Sequence, residues 1–352
     1  MAINLDTLRR VLLVRLRSIG DTVLMTPVLE VLKQWSPEIS ISVVSEPLSA
    51  PVLEAHPLVD QLFTVPRTRN KWRDLALRGR LIRDLRRERF DLAVNLHGGT
   101  TAAWICWLSG TPHRIGFALP NTKFLLTTLI PPPQEVWQKK TIHCVEQQLA
   151  WVKYLGIPIH QPPVLSLNCD AQCLKTVATF LTDSGISSQH YAVFHPAAAF
   201  TTKQWAPERF AKVIEYVKGL GLKPIICVAK AENGVAQAIQ RSLVYQDETL
   251  VIDHFSLSET MALIAGASLF VGNDSGPAHI AAALKRPMVV IFGSSNEDVW
   301  HPWTSAPHQI VRHQLPCVPC AGYTCHAFPE PECIKGVNVK AVISAIDRVL
   351  GP

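Results

Sequence analysis

Apolar positions along this chain follow two alternating rhythms. Short β-branched runs at residues 11–16, 39–45, 62–65, 91–97 and 114–118 predict strands. Between them lie stretches with apolar residues at i, i+3 and i+4, among them TPVLEVLKQW (26–35), DLALRGRLIRDLRRERF (74–90) and TIHCVEQQLAWVKYL (141–155), which predict helices. Pro27 should kink its helix or mark a restart. The segment GIPIHQPPVLSLNCD (156–170) holds three prolines and breaks the alternation. Strand-like runs then resume at 191–196, 223–229, 248–253, 267–272 and 287–293, and a helix over 338–350 ends the pattern. Strand–helix alternation builds parallel sheets covered by helices on both faces. The fold class expected is therefore α/β, with two doubly wound domains joined by the proline-rich linker. Boundaries are placed at 1–160 and 161–337, with 338–352 as a C-terminal helix. Ligands of such sheets bind at the carboxyl ends of strands, which points to a cleft between the domains.

The totals agree with two full cores: 352 residues, 48% of them hydrophobic and 18% charged. No stretch approaches the roughly 18–20 apolar residues of a membrane span. The opening MAINLDTLRRVLLVRLRS lacks a small-residue cleavage site and reads as a first buried strand, so a cytosolic chain is expected. Nine cysteines at scattered spacings do not form a secreted disulfide framework, and Cys106 and Cys227 lie inside apolar runs as expected of buried thiols.

The formal charge of +6 is concentrated. Residues 67–89 carry ten basic and three acidic side chains. One reading is a solvated exterior helix, with Leu75, Leu81, Ile82 and Leu85 near its packed face. The other is an anion site, favoured by the excess of arginine over lysine. Arg67, Arg69, Lys71 and Arg73, in PRTRNKWR, are the candidate anion-binding residues. Nucleic acid fits the charge but has no supporting aromatic or groove-reading motif. Near the end, Cys317, Cys320, Cys325 and Cys333 form one C-x2-C pair with two later cysteines. Structural zinc, reduced thiols and a local disulfide are all compatible with that spacing.

Three segments carry candidate chemistry. In FVGNDSGPAHIAAALKRP (270–287) a strand ends, a polar turn follows and a helix begins near Gly276 and Pro277. Asp274 or Ser275 can cap that helix, and its free amides with Ser275 and His279 can form an anion site. A capped helix with a packed histidine is the alternative. In HPAAAFTTKQWAPERF (195–210), Lys203, Thr201 and Thr202 lie on the loop after a strand, where a lysine can neutralise a diphosphate. LRSIGDTVLMTP (16–27) has the matching place in the first half, and its Asp21 is either a helix cap or a general base. A carboxylate opposite a phosphate site suits group transfer from a nucleotide diphosphate to a hydroxyl. No dinucleotide fingerprint or P-loop pattern is present.

In this order and spacing the three segments resemble the ADP-heptose:lipopolysaccharide heptosyltransferases (glycosyltransferase family 9) over nearly the whole chain, most of all the heptosyltransferase III type. The resemblance implies a GT-B fold of two Rossmann-like domains facing across a cleft, with the acceptor on the N-terminal half and the nucleotide sugar on the C-terminal half. It implies an inverting glycosyltransferase moving heptose from ADP-heptose to the inner core of lipopolysaccharide, with no cofactor or metal required. Asp21 matches the catalytic aspartate. Lys203 matches a lysine near the donor phosphates, and Asp274, Ser275, Gly276 and His279 match the donor motif. Glu232 falls where an acid holds the ribose hydroxyls, and Phe255 where an apolar side chain meets adenine. Thr201 and Thr202 sit directly beside Lys203, whereas the family's paired hydroxyl residues can lie further before it. Implied partners are the ADP-heptose donor, a Kdo-bearing inner-core acceptor and the inner-leaflet membrane surface, with a peripheral location at the inner face of the inner membrane. A GT-B transferase or epimerase using another nucleotide sugar, and a non-catalytic protein binding anionic glycolipid, are the alternatives.

Overall fold

The computed structural model of the chain describes residues 3–68, 70–117, 121–245, 248–320 and 324–351. They form two compact units, 1–168 and 169–352. The first contains a six-stranded sheet of order β3-β2-β1-β4-β5-β6. Its strands are β1 (Arg10–Val14), β2 (Ser40–Ser45), β3 (Gln61–Thr64), β4 (Leu92–Asn95), β5 (His113–Phe117) and β6 (Thr128–Ile130). The second has the order β12-β11-β10-β7-β8-β9. It consists of β7 (Tyr191–His195), β8 (Lys223–Cys227), β9 (Leu250–Ile252), β10 (Leu269–Asn273), β11 (Met288–Phe292) and β12 (His308–Arg312). Every strand pair is parallel. The expected α/β, doubly wound architecture is present in both units.

Central strands read as unbroken apolar runs because helices cover both faces of the sheet; β4, β7, β10 and β11 are buried at every residue. The edge strands β6 and β12 lie outside the sequence expectation. One has three residues, and the other, HQIVR, holds only two apolar residues and buries Val311 alone, as a half-covered edge does. In each sheet the strand order reverses once, between β1 and β4 in the first unit and between β7 and β10 in the second. Loops leaving the carboxyl ends of such neighbours diverge and open a crevice. Asp21 follows β1, while Lys203 and Asp274 follow β7 and β10.

Pro27 marks a restart: the helix Ile19–Leu24 ends, and Thr26–Trp35 begins with proline in its first turn. Residues 161–168 belong to the first unit, not to the second as the expected boundary had it. Leu165 and Leu167 are buried, and Ser166 donates its N–H to Thr26 Oγ1 at 3.3 Å. The C-terminal helix Val339–Leu350 is part of the second core. Val342, Ala345, Ile346 and Val349 bury its i, i+3, i+4, i+7 stripe against a cluster that includes Trp205, Phe210 and Ile291. Ile346→Ala should therefore destabilise the protein by about 2–5 kcal/mol in urea unfolding. A change below about 0.5 kcal/mol would show that this helix is dispensable to the core.

Candidate functional site

The carboxyl edge of the first sheet is organised around Arg15, the residue after β1. Its side chain is 7% exposed; Nη1 donates to Leu96 O at 2.7 Å and Nη2 pairs with Asp21 Oδ2 at 2.6 Å. Ser18, not Asp21, is the N-cap of Ile19–Leu24, and its Oγ lies 3.0 Å from Asp21 Oδ2. Asp21 stands at the third helical position with 22% of its side chain exposed. Two donors thus converge on Oδ2. The Cys144 thiol lies 4.0 Å from Oδ1, and burial with Asp21 beside it pushes that thiol up to about 12. Fixing one oxygen of a carboxylate while the group keeps access to solvent orients it to accept a proton.

His97 follows β4 and its backbone N–H donates to Val14 O at 3.2 Å. Its Nδ1 is buried without a hydrogen-bond partner among the described residues. Burial, followed by Arg15 and Arg17, holds the imidazole below its ordinary pKa against the pull of Asp21 and Glu46. A Cβ at Gly99 would stand 2.6 Å from His97 Cδ2, so glycine there makes room for the ring. Glu46, just after β2, accepts from Arg67 Nη2 at 2.7 Å. Arg67 is accordingly not the free cation the sequence suggested. Arg73 is exposed in the first turn of Lys71–Arg87. Arg69 and the side chain of Lys71 lie outside the described residues.

At the second sheet's carboxyl edge, Lys203 Nζ pairs with Asp274 Oδ2 at 2.8 Å, with side-chain exposures of 23% and 5%. Ser295 donates to the same oxygen. Asp274 does not cap the following helix, Gly276–Ala283; Ser275 occupies the N-cap position but makes no side-chain cap bond. In the first turn Ala278 N donates to Ser275 O at 3.1 Å and Pro277 brings no N–H, so the amides of Ser275 and Gly276 are those the helix N-terminus offers to an anion. His279 is buried one turn further on. Thr202 departs from the expected donor contact: its side chain is buried, and its hydroxyl accepts from Ser294 Oγ at 2.9 Å, which fastens the Lys203 loop to the end of β11. Thr201 is exposed. Glu232, after β8, uses Oε2 to accept from Ala229 N at 3.0 Å. Phe255, after β9, packs edge-on against Phe180 with ring centroids 5.2 Å apart.

Residues the sequence reading did not single out complete both edges. Asn273 is fully buried and ties the Lys203 loop to β10, donating to Pro196 O and accepting from Trp205 N. His195 Nδ1 lies 3.5 Å from Ser275 Oγ, and burial lowers its pKa. Their signal was a polar side chain at the end of an apolar strand, which Glu46 and His97 share. Cys317, Cys320, Cys325 and Cys333 line one pocket of about 320 Å³ that also touches Thr202. They are free thiols, and no group of three metal-ligating side chains is assembled among the described residues.

Two predictions follow from this packing. A Cβ at Gly293 would stand 2.0 Å from Thr202 O, so Gly293→Ala should cost about 1–3 kcal/mol in urea unfolding and displace the Lys203 loop. An unchanged midpoint would contradict that close approach. The second concerns pH. His56, His97 and His195 all have pKa values lowered by burial from 6.5. The unfolded chain takes up these protons first as pH falls, so stability present above about pH 6.5 is lost below it. The urea midpoint should be lower at about pH 5.5 than at about pH 7.5, and His195→Gln should shrink the difference. A midpoint that rises on acidification contradicts neutral burial.

With this geometry in place, comparison with known proteins is informative. The sequence profile of glycosyltransferase family 9 (heptosyltransferase) matches residues 78–329. Lipopolysaccharide heptosyltransferase 3 of Escherichia coli K12 is 28% identical over 300 residues, covering 81% of this chain and 83% of the relative. A glycosyltransferase family 9 structure from Veillonella parvula superposes with a TM-score of 0.84 at 21% identity, covering 97% of each chain. The structure of an E. coli heptosyltransferase with ADP superposes at 0.72 and 19% identity, covering 97% of this chain and 99% of that one. The chain belongs to glycosyltransferase family 9, the heptosyltransferases.

Proposed function

We propose that the protein transfers heptose from ADP-heptose to a hydroxyl of the lipopolysaccharide inner core, with inversion at the anomeric carbon. The observation that carries this reading is the pairing of two unlike edges in one chain. One presents an oriented carboxylate, Asp21, and the other a lysine beside a helix N-terminus, Lys203 with Gly276–Ala283. The relative bound to ADP and the relative acting on lipopolysaccharide supply the identities of donor and acceptor.

In the step proposed, the acceptor oxygen forms a bond to the anomeric carbon while the bond from that carbon to the β-phosphate oxygen breaks. The hydroxyl proton passes to Asp21 Oδ1, since Oδ2 is held by Arg15 and Ser18. Negative charge growing on the leaving ADP meets Lys203 and the amides at Ser275 and Gly276. Asp274 orients Lys203, and Glu232 and Phe255 take the ribose and adenine. Arg17, with two thirds of its side chain exposed beside Glu46, meets the acceptor's carboxylates and phosphates. Because that acceptor is lipid-anchored, the enzyme works as a peripheral protein at the inner face of the inner membrane. No helix among the described residues is long and apolar enough to cross a membrane.

Acceptor-dependent ADP release tests the assignment. With a deacylated Kdo-containing acceptor, wild type should turn over and Asp21→Asn should lose a factor of roughly 100 or more in kcat. Equal release by both proteins would leave Asp21 a structural residue and place the base elsewhere.

A further inference from the structure

The first unit carries an outer face that the transfer chemistry does not use. The helices Lys71–Arg87 and Thr100–Leu108 cover the same side of the sheet, since Leu81 and Leu85 from one and Ala102, Ile105 and Cys106 from the other share a core with Leu12, Val14 and Ala93. Thr100–Leu108 is apolar on both sides. Its inner side is buried, and its outer side exposes Trp104 (41%) and Trp107 (45%) one turn apart. These rings pack edge-on at 5.5 Å, and Phe124, 69% exposed, packs edge-on against Trp104 at 6.3 Å. Trp72 and Leu75 stand exposed at the start of the neighbouring helix.

Arginines occupy the ground between these aromatic ends. Arg73, Arg78, Arg80, Arg83, Arg86 and Arg87 are all exposed. The acids nearby are already engaged: Asp84 pairs with Arg87, Glu88 with Arg10, and Asp74 accepts from Thr68 N. Arg86 Nε donates to Leu108 O at 2.8 Å, which joins the basic helix to the aromatic one. The outcome is one surface on which exposed indoles stand beside an excess of guanidinium groups over carboxylates.

We infer that this face docks on an anionic phospholipid bilayer, with Trp104, Trp107 and Phe124 entering the headgroup layer and the arginines of Lys71–Arg87 meeting lipid phosphates. Indole rings, apolar with one polar N–H, settle at the membrane–water boundary. Cations beside them add electrostatic attraction to anionic lipid. A symmetric second copy is a poor occupant, because a two-fold interface sets the patch against itself and arginine against arginine. The inference rests on the reading that the acceptor is lipid-anchored, and it assigns the contact to one surface.

Co-sedimentation of the full chain with phosphatidylethanolamine vesicles holding about one third phosphatidylglycerol, against pure phosphatidylcholine vesicles, tests it. Wild type should sediment with the anionic vesicles alone and be released by about 0.5 M salt. Arg80→Glu/Arg83→Glu should weaken partitioning by about 30-fold or more, and Trp104→Ser/Trp107→Ser by about tenfold or more. Both variants should keep wild-type ADP release with the deacylated, water-soluble acceptor. No wild-type sedimentation, or variants that sediment as well as wild type, overturns the assignment. A wild-type dimer that the tryptophan variant converts to monomer, with no vesicle binding, gives the face to self-association and overturns it too. Charge- and tryptophan-dependent vesicle binding by a wild-type chain that releases no ADP supports the surface and removes the transfer reading instead.

Discussion

A cation–carboxylate pair with one buried member fixes each strand edge, and the two pairs are built in opposite senses. In the first unit the guanidinium of Arg15 is the buried partner and Asp21 is the one that meets solvent. In the second the carboxylate of Asp274 is buried and Lys203 is the one that meets solvent. The buried member costs desolvation energy and is held in place by other bonds, Leu96 O for Arg15 and Ser295 for Asp274. Losing its partner would leave an uncompensated charge, a penalty of about 3–5 kcal/mol at a fully buried site. The same device therefore presents an acid at one edge and a cation at the other. Those are the two charges that the proposed transfer from a nucleotide diphosphate uses.

The sheets place these pairs. Each reverses strand order once, and the loops beside that reversal carry Arg15, Ser18 and Asp21 in one unit and Lys203 and Asp274 in the other. Close backbone approaches keep the loops in register. Gly293 lies against Thr202 O, Gly99 lies against the His97 ring, and Asn273 bridges the ends of β7 and β10. None of these residues would touch substrate in the proposed reaction, yet each limits where a reacting side chain can go. The cysteine pocket borders Thr202 and is joined to the same loop system through the bond from Cys320 N to Ser294 O.

The centre of both sheets was legible in the sequence because buried parallel strands are continuous apolar runs. The edges β6 and β12 were not, since a half-covered strand has no such signature. Asp21, Lys203, Asp274 and Ser275 could be found from strand–turn–helix punctuation. Their partners could not, because pairs such as Ser295 with Asp274 and Arg67 with Glu46 lie 21 residues apart and meet only through the fold. Local pattern also assigned too much burial. Helical spacing put Leu75 on the packed stripe, but only the C-terminal half of Lys71–Arg87 reaches the core, and Leu75 is exposed. Thr202 shows the converse, a loop hydroxyl beside a charged residue that turns inward to hold the chain.

In the proposed reaction the two edges divide the work, donor phosphates on the Lys203 side and proton transfer on the Asp21 side. Calorimetric titration of ADP into wild type, Lys203→Met and Asp21→Asn separates them most directly. Loss of the Lys203 charge should raise Kd by about tenfold or more, while Asp21→Asn should bind ADP as wild type does. Weakened ADP binding in Asp21→Asn with none in Lys203→Met would contradict the division and place the donor on the other edge.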